Sequence, residues 1–328
     1  MNSTIIMVLV GCLAVIPNSI FSQTCCTGGV PITGALRINT YPANSAQLRL
    51  IYDYNKIEDV YLDGNLTDDE RIKRATKTLL LQADYVISKF VALSVLVPYI
   101  WTSEETDQLS QPLLLETNGI GDISLIGQFK IPVSQKYPLV VGGGMKFPTG
   151  ETKKVNNSDG FILPANLQPG TGSFDAIFLI SYQTPFSQRK SLQLTSSLFY
   201  RLNTSSDNLT FHDRYKFGNE LQIFAGISDD YVVGSVITTP SLLFRLRNTQ
   251  KDQIEDFDND NTGGTWLYLV PGINLSITPK IILGFSAELP IYRNLNGFQI
   301  TTSSKLVASI HINFSKNDTD IIQLDKQL

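Results

Sequence analysis

Cysteine is scarce in this 328-residue chain, which contains three. Cys12 lies in an apolar N-terminal stretch, whereas Cys25 and Cys26 are adjacent. Three cysteines at these positions form neither a disulfide framework nor a tetrahedral zinc site. The sequence therefore predicts no metal site and no cofactor, and it leaves open whether Cys25 and Cys26 form a vicinal disulfide or remain thiols.

The chain also lacks an excess of either charge. Lys and Arg together number 26 and Asp and Glu number 30, which gives a net charge of −4. No basic stripe of the kind that follows a phosphate backbone is present, so nucleic acid is not expected as a partner.

Long apolar runs are missing after the N-terminal stretch. A transmembrane helix needs about 20 consecutive apolar residues, and no such run follows residue 23. Strands can still cross a membrane, because lipid-facing and lumen-facing residues alternate and average out in hydropathy. The mean hydropathy of +0.02 is compatible with that arrangement.

The N-terminus carries the features of a secretory signal. An apolar core runs from Ile5 to Ile16 and is followed by the small and polar residues Ser19, Ser22 and Gln23. This order predicts a cleaved signal peptide over residues 1–23. A lipoprotein signal ending at Cys12 is disfavoured, because the apolar core continues beyond that cysteine. We therefore expect an exported protein.

Strict alternation of apolar and polar residues organises the rest of the chain. Similar segments number about twelve, and most reach the length of about 9–11 residues that a tilted strand needs to cross the hydrocarbon layer. The predicted strands are Gln47–Asn55, Lys77–Ile87, Phe90–Tyr99, Asp122–Ile131, Leu139–Phe147, Ser173–Tyr182, Ser191–Asn203, Phe217–Ile227, Gly234–Arg247, Trp266–Ile277, Ile281–Ile291 and Thr301–Phe314. The predicted fold is all-β, a closed antiparallel transmembrane β-barrel of about twelve strands over residues 46–314.

The connections between these strands alternate in length. Tight turns, as at Ser88-Lys89 and Thr278-Pro279-Lys280, alternate with longer polar stretches, as at Asp59–Thr76, Thr102–Gly119 and Thr149–Gly172. Short periplasmic turns and long extracellular loops are typical of the bacterial outer membrane. Residues 24–45 are then a periplasmic N-terminal segment, and residues 315–328 are a polar C-terminal tail.

One parity of the strands carries charged residues that we expect to line the lumen, since a Lys or Arg facing lipid at mid-depth costs about 2–4 kcal/mol. The set mixes both signs, so it predicts paired ladders and no strong ion selectivity. The predicted lumen residues are Arg49, Asp53, Asp84, Asp122, Lys130, Lys146, Asp175, Arg201, Glu220, Arg245, Arg247, Glu288, Lys305 and His311. Apolar residues of the same parity, including Ile51 and Phe199, indicate a narrow and partly apolar lumen.

The long loop Thr149–Gly172 carries Phe161, Ile162 and Leu163, and we expect these three residues to constrict the lumen. A narrow lumen of mixed polarity favours passage of small, mostly apolar solutes. The alternative is a closed barrel with a structural or surface-binding role. Lipid hydrolysis is not expected, because His311 falls on the lumen parity beside Ser309 and His212 falls in a loop, so the chain is predicted not to be an enzyme.

Three motifs resemble an outer-membrane family of transporter-like proteins associated with the phenol meta-degradation pathway. They are Gly119-Ile120-Gly121-Asp122, the run Gly142 to Gly150 that ends in Pro148-Thr149-Gly150, and Leu167-Gln168-Pro169-Gly170-Thr171-Gly172-Ser173-Phe174-Asp175. The resemblance implies an outer-membrane barrel that aids the uptake of hydrophobic or aromatic compounds. We expect Asp122 and Asp175 to pair with Lys130 or Lys146.

The expected partners follow from this location. Outer-membrane lipid surrounds the barrel, and a small solute passes through it. The segment Ile310-His311-Ile312-Asn313-Phe314 is similar to the terminal aromatic signal that barrel-assembly machinery binds.

Overall fold

A computed structural model describes residues 43–108, 111–133, 139–156, 160–186, 188–207, 209 and 214–314. The predicted signal peptide, the C-terminal tail and most of the segment 24–45 lie outside these residues. No helix in the described part of the chain is long and apolar enough to cross a membrane.

The predicted barrel is confirmed. Twelve long strands of the described chain pair antiparallel with their neighbours in sequence, and β1 pairs with β12 to close the sheet. The strands are β1 Ser45–Leu62, β2 Ile72–Val86, β3 Val91–Gln108, β4 Ile123–Ile131, β5 Leu139–Phe147, β6 Asp175–Pro185, β7 Gln193–Leu202, β8 Glu220–Ser228, β9 Val236–Thr249, β10 Gly264–Thr278, β11 Ile281–Leu295 and β12 Phe298–Phe314. Closure matters because an open edge in lipid would leave backbone groups without hydrogen bonds.

Alternation of side chains explains why these segments form a barrel. Along β2, Thr78, Leu80 and Gln82 are buried, whereas Leu81 and Tyr85 on the opposite parity are 41% and 48% exposed. Large apolar residues dominate the exposed parity on other strands too, as at Phe178, Ile180 and Phe285. An apolar exterior around a polar interior is the pattern of a barrel in lipid.

Two of the predicted long loops are instead mostly strand. Residues 102–108 extend β3 and pair with a further strand, Gln111–Ile120. The region 59–76 contains the end of β1, the strand Asn65–Thr67 and the start of β2. These extensions alternate without an apolar parity, because they rise beyond the hydrocarbon layer. Their hydropathy therefore resembles that of a loop.

A second, four-stranded sheet stands at the loop end of the barrel. It consists of Ser205–Asp207, Arg214–Lys216, Gln253–Ile254 and Phe257–Asp258. The loops after β7 and β9 thus pair with each other, through Arg214–Lys216 and Gln253–Ile254.

The interior is packed on one side by apolar residues. A buried cluster joins strands β1 to β7 and β12 at mid-depth. It consists of Ile51, Leu80, Leu96, Ile126, Val140, Ile177, Leu179, Phe199 and Val307. This cluster lies mainly on the β1–β7 side of the interior.

Candidate functional site

The charged residues predicted for the lumen are all buried. Each has a fractional exposure of 9% or less, and all except Asp122, which immediately precedes β4, lie on the interior parity of a strand. They are Arg49, Asp53, Asp84, Asp122, Lys130, Lys146, Asp175, Arg201, Glu220, Arg245, Arg247, Glu288, Lys305 and His311. Their contacts divide into three networks.

The first network brings the three sequence motifs together at the loop end of β4, β5 and β6. Lys146 Nζ lies 2.9 Å from Asp122 Oδ2 and 2.6 Å from Asp175 Oδ2. Of the two lysines proposed as partners for these carboxylates, Lys146 is the one that binds them. Lys130 is buried toward the periplasmic end of β4, and no ion pair of Lys130 is found in the described part of the chain.

The same carboxylates attach the loop between β5 and β6 to the barrel wall. Asp122 accepts hydrogen bonds from the backbone N–H groups of Gly150 at 3.0 Å and Thr171 at 2.9 Å. Asp175 accepts from Ser173 Oγ at 2.9 Å and from the backbone N–H of Thr204 at 3.0 Å. Both ends of the loop are therefore bound through the two carboxylates that share Lys146 as their cationic partner.

Glycine is required where the two ends of this loop meet. A Cβ atom on Gly170 would lie 2.5 Å from the backbone of Gly150, and one on Gly150 would lie 2.7 Å from Gly170. Real Cβ atoms do not approach backbone so closely, so any side chain would push the two ends apart. The glycines of the Pro-Thr-Gly and Pro-Gly-Thr-Gly motifs thus serve a close backbone approach.

The middle of the loop reaches inward to β2 and to the strand Gln111–Ile120. The carbonyl of Leu167 accepts a hydrogen bond from Thr117 Oγ1 at 2.5 Å. Asn166, with its amide oxygen turned to the guanidinium, accepts hydrogen bonds from Arg74, which also pairs with Glu104 on β3. Since β2 and β5 are separated by two strands, the loop crosses part of the barrel mouth.

On its other side the loop packs against the second sheet. Ala165 is buried with Leu209 and Tyr215. Tyr215 Oη donates to Asp252 Oδ2 at 2.6 Å, and the Gly218 N–H donates to Asp252 Oδ1 at 2.8 Å. Burial outweighs these hydrogen bonds and raises the pKa of Asp252 to about 6.

The three residues predicted to constrict the lumen differ in their surroundings. Phe161 is 65% exposed, Ile162 is half-buried in a bridge with Val155, and Leu163 is 3% exposed. The buried run of the loop extends from Ala165 to Thr171. Sequence reasoning recognised Leu167 to Thr171 as part of a motif but did not predict that this run is buried. The polar contacts of this run involve residues distant in sequence, and no local pattern reveals them.

The second network is a charge ladder across β7, β8, β9, β11, β12 and β1. Glu220 lies 2.5 Å from both Arg201 and Arg247. Further along, Arg245 pairs with Glu288, and Lys305 lies 2.6 Å from Asp53. The ladder contains four cations and three carboxylates, so its charges nearly balance.

Aromatic rings support the arginines of this ladder. The Arg247 guanidinium lies 4.9 Å from the ring centroid of Trp266, and the Arg245 guanidinium lies 5.1 Å from that of Tyr268. Such cation–π contacts fix the guanidinium groups against the wall.

The third network lies toward the periplasmic end. Arg49 pairs with Asp84 at 2.9 Å, and Asp84 also accepts hydrogen bonds from Gln82 at 2.8 Å and Ser94 at 2.5 Å. His311 is buried, with Nε2 3.0 Å from Ser309 Oγ.

A cavity of about 180 Å³ lies inside the barrel between β6 and β12. Its apolar part consists of Phe224, Leu243, Val270, Ile273, Phe285 and Val307, and most of the remainder consists of serine, threonine, glutamine and asparagine side chains. His311 and Ser309 lie at one edge. This cavity faces the apolar cluster of the β1–β7 side.

Sequence reasoning missed the buried ion pair of Arg74 and Glu104. Both residues fall in regions assigned to loops, although Arg74 shares the parity of Thr76, Thr78 and Leu80. Continuing the alternation toward the N-terminal end of β2 would have placed Arg74 inside.

A closed twelve-stranded barrel with an apolar exterior, a polar interior and a loop folded into its mouth defines an outer-membrane β-barrel protein. The chain belongs to the family described as "Putative MetA-pathway of phenol degradation", whose model matches residues 48–293. No curated protein matches the chain in sequence.

One solved structure shares this architecture, and a second is less similar. An outer membrane channel from Pseudomonas putida F1 superposes with a TM-score of 0.67 at 13% identity, covering 84% of this chain and 97% of the channel. The β-domain of the Bordetella autotransporter BrkA has a TM-score of 0.46 at 10% identity, covering 83% of this chain and 100% of that domain. At these identities the likeness concerns the fold alone.

Proposed function

We propose that the protein is a narrow channel or transporter for small, hydrophobic or aromatic solutes. The 180 Å³ cavity carries this proposal, because it combines apolar side chains with a polar edge. Such a lining binds a molecule that has an apolar body and one or two polar groups. The resemblance to an outer membrane channel and the description of the family are in keeping with this role.

The charged networks favour uncharged solutes. The carboxylates of Asp122, Asp175 and Glu220 each lie within 3 Å of a cationic partner. A paired charge offers little attraction to a passing ion, and breaking the pair would leave a buried charge uncompensated. The wall therefore presents polarity without a strong preference for anions or cations.

The alternative is a structural or surface-binding barrel without transport. The apolar cluster and the inward loop favour this alternative, because both reduce the open cross-section. The two functions differ in whether small molecules and ions traverse the lumen.

Planar-bilayer recordings with benzyl alcohol as probe test the proposal. We expect small currents that benzyl alcohol reduces. Ser241 lines the cavity, so Ser241→Trp should lower the current and abolish the block. The neighbouring Leu242 is 42% exposed on the outer face, and Leu242→Trp is the matched control. A folded wild-type barrel without current at any voltage, and without measurable binding of benzyl alcohol in calorimetry, would overturn transport in favour of the structural role.

A further inference from the structure

A groove of about 810 Å³ runs along the outer wall of the barrel over β1, β10, β11 and β12. Its lining is almost entirely apolar. Tyr52, Tyr54, Ile273, Phe285 and Leu306 form the sides, and small residues such as Ala287 and Ala308 leave the space between them. The groove therefore has the character of an acyl-chain site.

Lys77 is the cationic residue that lines this groove. It is exposed on the outer parity of β2, where its register partners are Tyr54 on β1 and Trp101 on β3. No ion pair of Lys77 occurs among the described residues. Its ammonium is thus available to an anion outside the barrel.

The depth of Lys77 places it at the extracellular interface. Its partner Tyr54 is the tenth residue of β1 counted from the periplasmic end, and about 9–11 residues of tilted strand cross the hydrocarbon layer. Tyrosine and tryptophan beside a lysine at this level match the aromatic girdle of a barrel. The groove below Lys77 lies within the hydrocarbon layer, and Lys77 lies at headgroup level.

We propose that this groove binds an acyl chain of a phosphorylated lipid of the outer leaflet, with a headgroup phosphate on the Lys77 ammonium. The chain fills the space over Ala287 and Ala308, and the phosphate pairs with the cation in a charge-assisted hydrogen bond. An apolar protein surface docked here would instead bury Lys77 without a partner, which is costly. Charge therefore favours lipid over a second copy of the chain.

Native mass spectrometry of the purified full barrel with diphosphoryl lipid A, and with the same lipid after dephosphorylation, tests the site. We expect wild-type protein to bind the phosphorylated form at least tenfold more tightly. Lys77→Gln should remove that preference, whereas Lys89→Gln in a periplasmic turn should not. Ala308→Trp should fill the groove and weaken both lipids, and Ala176→Trp, on the outer face of β6, is its control.

Equal binding of the two lipids by wild-type protein, or unchanged binding by Lys77→Gln, would overturn the proposal. Heat-modifiable migration on gels shows whether each variant is folded. If Ala308→Trp does not fold, Ala287→Leu replaces it, because leucine adds a smaller side chain to the groove. A dimer that persists with lipid removed and with Lys77→Gln, and is lost on Ala308→Trp, would assign the groove to a second copy instead. Lipid binding is measured independently of conductance, so this test does not depend on whether the barrel transports solutes.

Discussion

Lys146 Nζ lies 2.6 Å from Asp175 Oδ2, and the two residues belong to neighbouring strands that the inward loop connects. The same ammonium also binds Asp122 at 2.9 Å. One lysine thus joins the motifs that begin β4, end β5 and begin β6. The motifs are a structural unit that fixes the loop in the barrel mouth.

Replacing Lys146 by methionine should destabilise the barrel by about 3–5 kcal/mol, because two buried carboxylates lose their counter-charge. Urea titration of refolding into vesicles measures the loss. Lys154→Met on the same loop is the control, since Lys154 pairs with Glu151 at the surface and such pairs contribute about 1 kcal/mol or less. Equal effects of the two substitutions would contradict the role of Lys146.

Leu163→Ala should loosen the inward loop, whereas Phe161→Ala should not. Leu163 is 3% exposed and Phe161 is 65% exposed. Truncating a buried leucine costs about 2–5 kcal/mol. Limited proteolysis of the folded barrel should therefore cut the loop of Leu163→Ala much faster than that of wild type. Protection that is identical in both variants would show that the loop is held elsewhere.

The second sheet should lose stability as the pH rises from about 4 to about 6. Burial raises the pKa of Asp252 from 3.8 to about 6, so in this range the unfolded loop binds fewer protons than the folded one. Stability then falls with rising pH and levels off above the folded pKa. Hydrogen-exchange protection of Arg214–Lys216 and Gln253–Ile254 should drop by about tenfold or more across that range. Asp252→Asn should make the protection independent of pH, and a wild-type profile that is flat would contradict the shift.

Arginine on the outer face should be costly in a depth-dependent way. Ile180 is 47% exposed at the middle of β6, and Leu202 is 41% exposed at the end of β7. Ile180→Arg should cost about 2–4 kcal/mol, and Leu202→Arg about 0–1 kcal/mol. Urea titration in vesicles gives both values. An Ile180→Arg protein as stable as wild type would mean that this face is not in lipid.

Much of the barrel could be predicted from the sequence, because a strand that crosses lipid must alternate apolar residues on its outer face with lumen-facing residues. The bounds Leu139–Phe147 agree with β5, and β12 ends at Phe314 as predicted. The prediction was wrong for 102–119, because strands above the membrane need no apolar face. Within the predicted strands, interior parity indicated the buried charges, as at Arg49 and Glu220, because parity depends only on position along a strand. Arg74 and Glu104 were missed because they lie in strand extensions that were assigned to loops.

The pairing of those charges could not be predicted in the same way. The contacts of Asn166 with Arg74 and of Ala165 with Tyr215 depend on the path of a loop across the mouth. Nothing local in Ala165-Asn166-Leu167 specifies that path. Phe161, Ile162 and Leu163 were predicted to constrict the lumen because they are three consecutive apolar residues. They precede the buried run of the loop, which extends from Ala165 to Thr171.

The seam of the barrel has a consequence for how the chain matures. Ala46 is the register partner of Phe314, and Gln47 donates to Asn313 at 2.5 Å, so the first and last strands complete each other. Contacts between residues so distant in sequence form slowly, because loop closure precedes any gain from pairing. Until β12 arrives, β1 and β11 each present an unpaired edge that could join another chain. The nascent barrel therefore passes through an aggregation-prone stage whose length is set by the arrival of its final strand.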